Sequence, residues 1–340
     1  MKKRSLVMAV LLGILFGGAA AAQTEAEKIL AAVVKIRAVV PETARTAETL
    51  GTEREGSGVV IDSEGHVLTI GYLILEAAEV EITETGAKPI KATVVGYDHP
   101  SGFGLLRADR PLRAPFLALG NSAEISTGDP LLVAGFGGRE AAQGVRVVSL
   151  TEFAGSWEYL LDRAIFTAPP HAEFSGAALI DRSGRLAGIG SLFTQIQIKE
   201  IGMVPANMFV PVDLLKPILS DLQQYGHSRQ APRPWLGIRA ESIHGRVFVL
   251  GVSPGGPSEK AGIMAGDLVL AVKEKAVRDL ADFYRSVWAL GAAGVDVPLS
   301  LLQDIRIRQI VVHSADRAQY MRLNPKRTAS SRRLSFHTPP

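Results

Sequence analysis

Cysteine is absent from all 340 residues, so the chain can build neither a disulfide framework nor a thiolate metal site. No His/Asp/Glu spacing takes over the ligand role, and no metal or other cofactor is expected. Tandem repeats are missing, and so is any motif for nucleic-acid binding. An excess of charge is missing too once the N-terminus is set aside. The 37 basic residues include Lys2, Lys3 and Arg4; without them basic and acidic residues balance at 34 each. Only the far end is uneven. Arg322, Lys326, Arg327, Arg332 and Arg333 face no acid after Asp316, which reads as a basic disordered tail over 316–340.

The N-terminus carries Lys2-Lys3-Arg4, an apolar run from Leu6 to Phe16, and small residues up to Ala22. That order describes a secretory signal peptide over 1–22, cut after Ala22, and sends the protein to the periplasm or outside the cell. The run falls short of the roughly 20 residues of a comfortable membrane span. An uncleaved anchor is the other reading, and only that reading ties the chain to a membrane.

Apolar runs then recur as short strands separated by turn residues. Val33–Val40 alternates in part, and Gly56 to Thr69 is a hairpin around Asp62-Ser-Glu-Gly65. Ile90–Tyr97, Gly104–Arg107, Pro130–Ala134, Val145–Thr151 and Arg163–Thr167 follow. This spacing predicts an all-β barrel or sandwich rather than a βαβ sheet. Leu214–Leu222 is expected to close the unit as a helix, with Pro217 in its first turn. Residues 226–234 are the linker. Beyond them come strands around Leu236–Ala240 and Val247–Val252. Asp279 is placed to cap a helix whose apolar stripe is Leu280, Phe283, Tyr284, Val287 and Trp288.

One stretch bears on chemistry. Ala164 to Asp181 runs from a strand through Pro169-Pro170 to Ser175-Gly176 and into another apolar strand. Such a loop can hold a hydroxyl outward at a sheet edge, where acyl-transfer enzymes place a nucleophile. Together with Gly56-Ser-Gly-Val-Val-Ile61, Gly120-Asn-Ser122, Thr127 to Gly135, Gly184 to Ile189 and Phe209 to Leu219, it resembles the protease domain of the HtrA/DegP family. Trp235-Leu-Gly-Ile238, and Ser253 to Asp267 with its Ala-Gly-Ile…Gly-Asp pattern, resemble a PDZ domain. The resemblance implies a mainly β chain: a trypsin-like double β-barrel over 23–225, the linker, and a small α+β PDZ domain over 235–315.

On the family pattern Ser175 keeps the nucleophile position. Tyr72 stands at the histidine position, Gly102 at the aspartate position, and Glu173 at the glycine that supplies an oxyanion-hole N–H. A phenol of ordinary pKa about 10 is a poor base at neutral pH, and Gly102 offers no carboxylate. His171 and His99 are the histidines that could relocate as a base; His66 is read as structural. The PDZ resemblance implies a carboxylate-binding loop at Trp235, Leu236, Gly237 and Ile238, lined further by Phe283 and Val287, with Arg233 near the carboxylate. Partners would be protein C-termini or unfolded polypeptides, and copies of this chain or an HtrA paralogue in an oligomer. Trimerisation through an aromatic-bearing N-terminal segment is in question, because residues 23–32 hold no aromatic. Two readings result. One is an exported pseudoprotease acting in envelope quality control or on a partner protease. The other is an active HtrA-type endopeptidase using Ser175 with a relocated base.

Overall fold

The structure, a computed structural model, describes residues 25–321. The expected signal peptide at 1–22 and residues 322–340 of the expected tail lie outside the described residues. A helix over residues 25–31 leads into a barrel made of β1 (Val33–Val39), β2 (Glu53–Val60), β3 (His66–Ile70), β4 (Glu79–Thr83), β5 (Ile90–Tyr97) and β6 (Phe103–Ala108). Its closed order is β1-β2-β3-β6-β5-β4. A second closed barrel, ordered β10-β11-β12-β9-β8-β7, uses β7 (Pro130–Ala134), β8 (Ala142–Gly155), β9 (Tyr159–Ala168), β10 (Ala178–Ile180), β11 (Leu186–Ile198) and β12 (Gly202–Pro211). Closure leaves neither barrel an open edge through the core strands. Ile36, Leu68, Ile82 and Leu105 fill the first; Val133, Ile165, Leu179 and Phe209 fill part of the second.

The third unit is a sheet of β13 (Ile238–Ile243), β14 (Arg246–Val252), β15 (Leu268–Val272), β17 (Asp296–Gln303) and β18 (Arg306–His313) in that order, with the short β16 (Lys275–Ala276) paired to β15. In β17 the period of two is visible in burial, since Val297, Leu299 and Leu301 are buried and their neighbours are not. Asp279 caps the helix Leu280–Trp288 by accepting the Asp282 N–H at 2.8 Å. The helix lays Leu280, Phe283, Tyr284 and Val287 against the sheet as the stripe requires.

Three sequence expectations shift. The closing helix begins at Leu219 and ends at Tyr225, not at Leu214–Leu222. Pro217 has no N–H to give and biases the residue before it away from helix, so only the 3-10 turn Val212–Leu214 precedes it. Two hairpins run past their expected ends: β8–β9 reaches a turn at residues 156–158, and β11–β12 continues to residues 199–201. In the outer part of β11 half-buried and exposed positions alternate without an apolar face, which hides the strand in the sequence. The tail also starts later than 316. Arg317–Tyr320 is a helical turn capped by Asp316, and the Tyr320 ring packs 4.4 Å from that of Trp235.

Candidate functional site

Ser175 lies half-buried on the turn between β9 and β10, and Tyr72 in the 3-10 turn Gly71–Leu73 that follows β3, so the two barrels face each other across this pair. The seam is fixed by backbone. Ser57 of β2 donates its N–H to Ser175 O at 2.8 Å, and Gly176 donates to Gly190 O at 2.9 Å. Gly176 has φ +74, and a Cβ there would sit 1.9 Å from Ser57 O. Only glycine fits. Gly176→Ala is therefore expected to cost about 2 kcal/mol of stability in a urea melt. An unchanged melt would show that the two barrels are not clamped here.

The Tyr72 hydroxyl is 2.8 Å from Ser175 Oγ and 2.9 Å from Ser191 O. A phenol has one proton, and a carbonyl can only accept. If Tyr72 donates to Ser191 O, its oxygen can take a hydrogen bond from the Ser175 hydroxyl, but it cannot take the proton itself unless it is a phenolate. Burial pushes the Tyr72 phenol up to about 12, with the Ser175 hydrogen bond pulling slightly the other way. At neutral pH the phenolate fraction is then about one in 10⁵.

The remaining positions are arranged as follows. Gly102 adopts φ +79, donates to Asp98 O and accepts from Gly71 N, each at 2.7 Å. A Cβ on Gly102 would meet the Tyr159 hydroxyl at 3.2 Å, so the space an acid would use is bordered by a β9 side chain. The Asp98 carboxylate is consumed locally by the Ser101 N–H and hydroxyl. Glu173 donates its backbone N–H to His171 Nδ1 at 3.1 Å. It is not among the non-glycine residues with positive φ. That N–H is turned to an imidazole rather than left free for an oxyanion.

Among the described residues no histidine hydrogen-bonds Ser175 Oγ. His171 Nδ1 accepts the Glu173 backbone N–H, and the His171 backbone N–H goes to Asn207 Oδ1 at 2.6 Å. His99 sits between the Tyr97 hydroxyl, Glu158 O and Arg317 Nη1. Burial, then the Arg317 cation, hold its pKa well below the ordinary value. His66, the first residue of β3, pairs at 2.7 Å with Asp62 of the turn before that strand.

The second constellation is the PDZ-like loop. Leu236, Gly237 and Ile238 all point their N–H groups at one carboxylate, which belongs to Glu158 at the β8–β9 turn. The distances are 2.9 Å to Oε2, and 2.7 and 2.9 Å to Oε1. Trp235 does not share in this; its N–H and C=O pair with Ala315. Phe283 and Val287 are buried in the same apolar cluster as Leu236 and Ile238, and that cluster takes in Leu160 from β9. Arg233, expected beside the carboxylate, instead stacks 4.3 Å over the Trp288 ring. Sequence reasoning missed Glu158, Tyr159 and Arg317. A Gly-Ser-Trp-Glu turn between two apolar runs marks a hairpin end, but nothing local says what that turn touches.

Comparison with known proteins agrees with this architecture. Residues 56–189 match the family described as trypsin-like peptidase domain, and residues 234–313 the one described as PDZ domain. The periplasmic pH-dependent serine endoprotease DegQ of Escherichia coli (strain K12) is 28% identical over 312 residues, covering 82% of this chain and 66% of DegQ. The periplasmic serine endoprotease DegP of the same strain is 26% identical over 264 residues, covering 73% of this chain and 54% of DegP. This chain thus spans between about half and two thirds of those relatives. The solved structure of the HtrA-type protease AlgW with decapeptide superimposes with a TM-score of 0.51 at 19% identity, over 86% of this chain and 98% of that one, a likeness of fold. Fold and matches define a trypsin-like peptidase domain followed by a PDZ domain. In domain order and in sequence the chain is similar to the HtrA/DegP family.

Proposed function

We propose that this protein is an exported, non-catalytic HtrA-like scaffold that binds polypeptide C-termini or unfolded segments through its PDZ domain, and that it serves envelope quality control or the regulation of a partner protease. The observation that carries the reading is the partner of Ser175 Oγ: a half-buried, neutral Tyr72 hydroxyl in place of an imidazole. Serine becomes a useful nucleophile when a base takes its proton and a third group holds that base. Here Tyr72, Gly102 and Glu173 stand at the positions of the base, its carboxylate and an oxyanion-hole donor. In a serine protease, loss of the base alone costs about a million-fold in turnover. The reading of a relocated base is not favoured, since His171 and His99 both have other partners. The periplasmic names of the relatives, together with the N-terminal signal pattern, support export to the periplasm.

The test is chemical. The chain from residue 23 onward is incubated with a fluorophosphonate probe and with casein, beside Ser175→Ala. Equal, background-level labelling and intact casein are expected in both. Labelling or cleavage that disappears with Ser175→Ala would refute the pseudoprotease reading.

A further inference from the structure

The hydrogen-bonding capacity of the carboxylate loop is already spent, and the group that spends it comes from the barrel domain. Glu158 is 4% exposed and carries a positive φ of 58°, so the chain turns sharply away just where its side chain enters the loop. Two residues earlier, Ser156 O accepts the N–H of Ala240 on β13 at 3.0 Å. Glu158 sits over Ile238 and Ser156 over Ala240, which is the antiparallel register of a strand added to the free edge of β13. On the other side of the groove, the Tyr284 hydroxyl accepts the Glu158 N–H at 3.1 Å and donates to Gly155 O at 2.7 Å. Ala154 and Leu160 of the same hairpin pack with the PDZ apolar cluster. Arg317 donates to Trp157 O at 2.7 Å and ties the turn to the C-terminal helical turn.

We infer that the β8–β9 turn, Gly155-Ser-Trp-Glu158, is an internal ligand of the PDZ groove, with the Glu158 side-chain carboxylate standing in for a C-terminal one. An external C-terminus must displace it. This rests on the reading of residues 235–238 as the carboxylate loop. Three backbone N–H groups converge on one carboxylate, and a neighbouring strand contact follows at a spacing of two. This is the arrangement a bound peptide end would show. A cavity of about 520 Å³ lies beside the docked segment, bordered by Ser156, Trp157, Ala240, Leu280 and Ala281. An incoming chain has room to start there before the turn leaves. Because the groove is competent only when the turn is out, the apparent affinity for any outside peptide falls by the fraction undocked.

The experiment has two readouts on the full chain, its Glu158→Ala variant and its Glu158→Gln variant. The first is amide hydrogen exchange at Leu236, Gly237 and Ile238, which needs no peptide. At least about tenfold faster exchange is expected in both variants, with barrel-core amides unchanged as the control for folding. The second is fluorescence anisotropy with a labelled peptide copying residues 150–157 and ending in a free valine carboxylate. At least about tenfold tighter binding is expected in both variants, and none by the amidated peptide. Equal loop exchange in wild type and variants overturns the internal ligand whatever the peptide does. Faster loop exchange without peptide binding by any form upholds the internal contact and sinks the peptide-binding function instead.

Discussion

The triple replacement Tyr72→His, Gly102→Asp and Glu173→Gly is expected to speed fluorophosphonate labelling of Ser175 by about a thousandfold or more over wild type, while each single replacement gains less than about tenfold. The asymmetry follows from how the parts act. An imidazole at 72 without a carboxylate behind it has neither a fixed tautomer nor a stabilised cation. A carboxylate at 102 without an imidazole has nothing to orient. The Glu173 N–H is bound to His171, so the oxyanion site stays short of a donor until that turn can rearrange around glycine. Full recovery of the roughly million-fold contributed by a working base is not expected. Gly102 has φ +79, a conformation Asp tolerates better than most residues but still at some cost, and its Cβ meets the Tyr159 hydroxyl at 3.2 Å. The strain is about 1–3 kcal/mol, or one to two decades of rate. The measurement is the second-order labelling rate with Ser175→Ala in the same background as the blank. A triple variant that reacts no faster than wild type would mean that the scaffold has lost more than these three groups.

The order of strands was legible because barrels and sheets leave their period on the residues. Val297, Leu299 and Leu301 alternate, and the capped helix stripe from Leu280 to Trp288 repeats as a helix must. The candidate site positions were assigned on a different ground, the resemblance of the motifs beside them, and the structure puts Tyr72 and Ser175 in contact across 103 positions of sequence. What escaped the sequence was everything that depends on one unit meeting another. The outer halves of β8 and β9 lack a clean apolar face, since each side of that hairpin is met by something from elsewhere. Ala154 and Leu160 pack into the PDZ cluster, and Arg285 bridges Glu152 and Asp162. Glu158 reads as an unremarkable turn residue until the loop at 236–238 is placed against it. Arg317 reads as tail charge until Trp157 O and His99 are found beside it. Periodicity reports which face is buried, not which partner buries it.

Peptide access to the groove should open as pH rises, and Glu158 sets the window. Burial pushes its carboxyl up from the ordinary 4.5 to about 7. The amides of Leu236, Ile238 and Gly237 and the Arg317 cation pull the other way without prevailing. The Tyr284 hydroxyl and the imidazole of His99, whose pKa is itself held low, meet the backbone N–H and C=O of Glu158 itself. The docked acid thus holds a proton that a solvated one gives up. Stabilisation of the docked state is fully present below about 4.5 and is lost as pH rises through about 7. A peptide's own terminal carboxyl, with a pKa near 3.5, stays ionised throughout and competes better as the turn loosens. Between about pH 5 and about pH 8, the full chain's affinity for a free-carboxylate peptide is expected to rise by as much as about fiftyfold. In Glu158→Ala the same titration should be flat and tight at every pH, because the loop then holds neither the carboxyl nor its proton. A wild-type curve that is flat, or that falls with pH, would show that the carboxylate remains ionised against its three amides, and that the turn is released by competition alone.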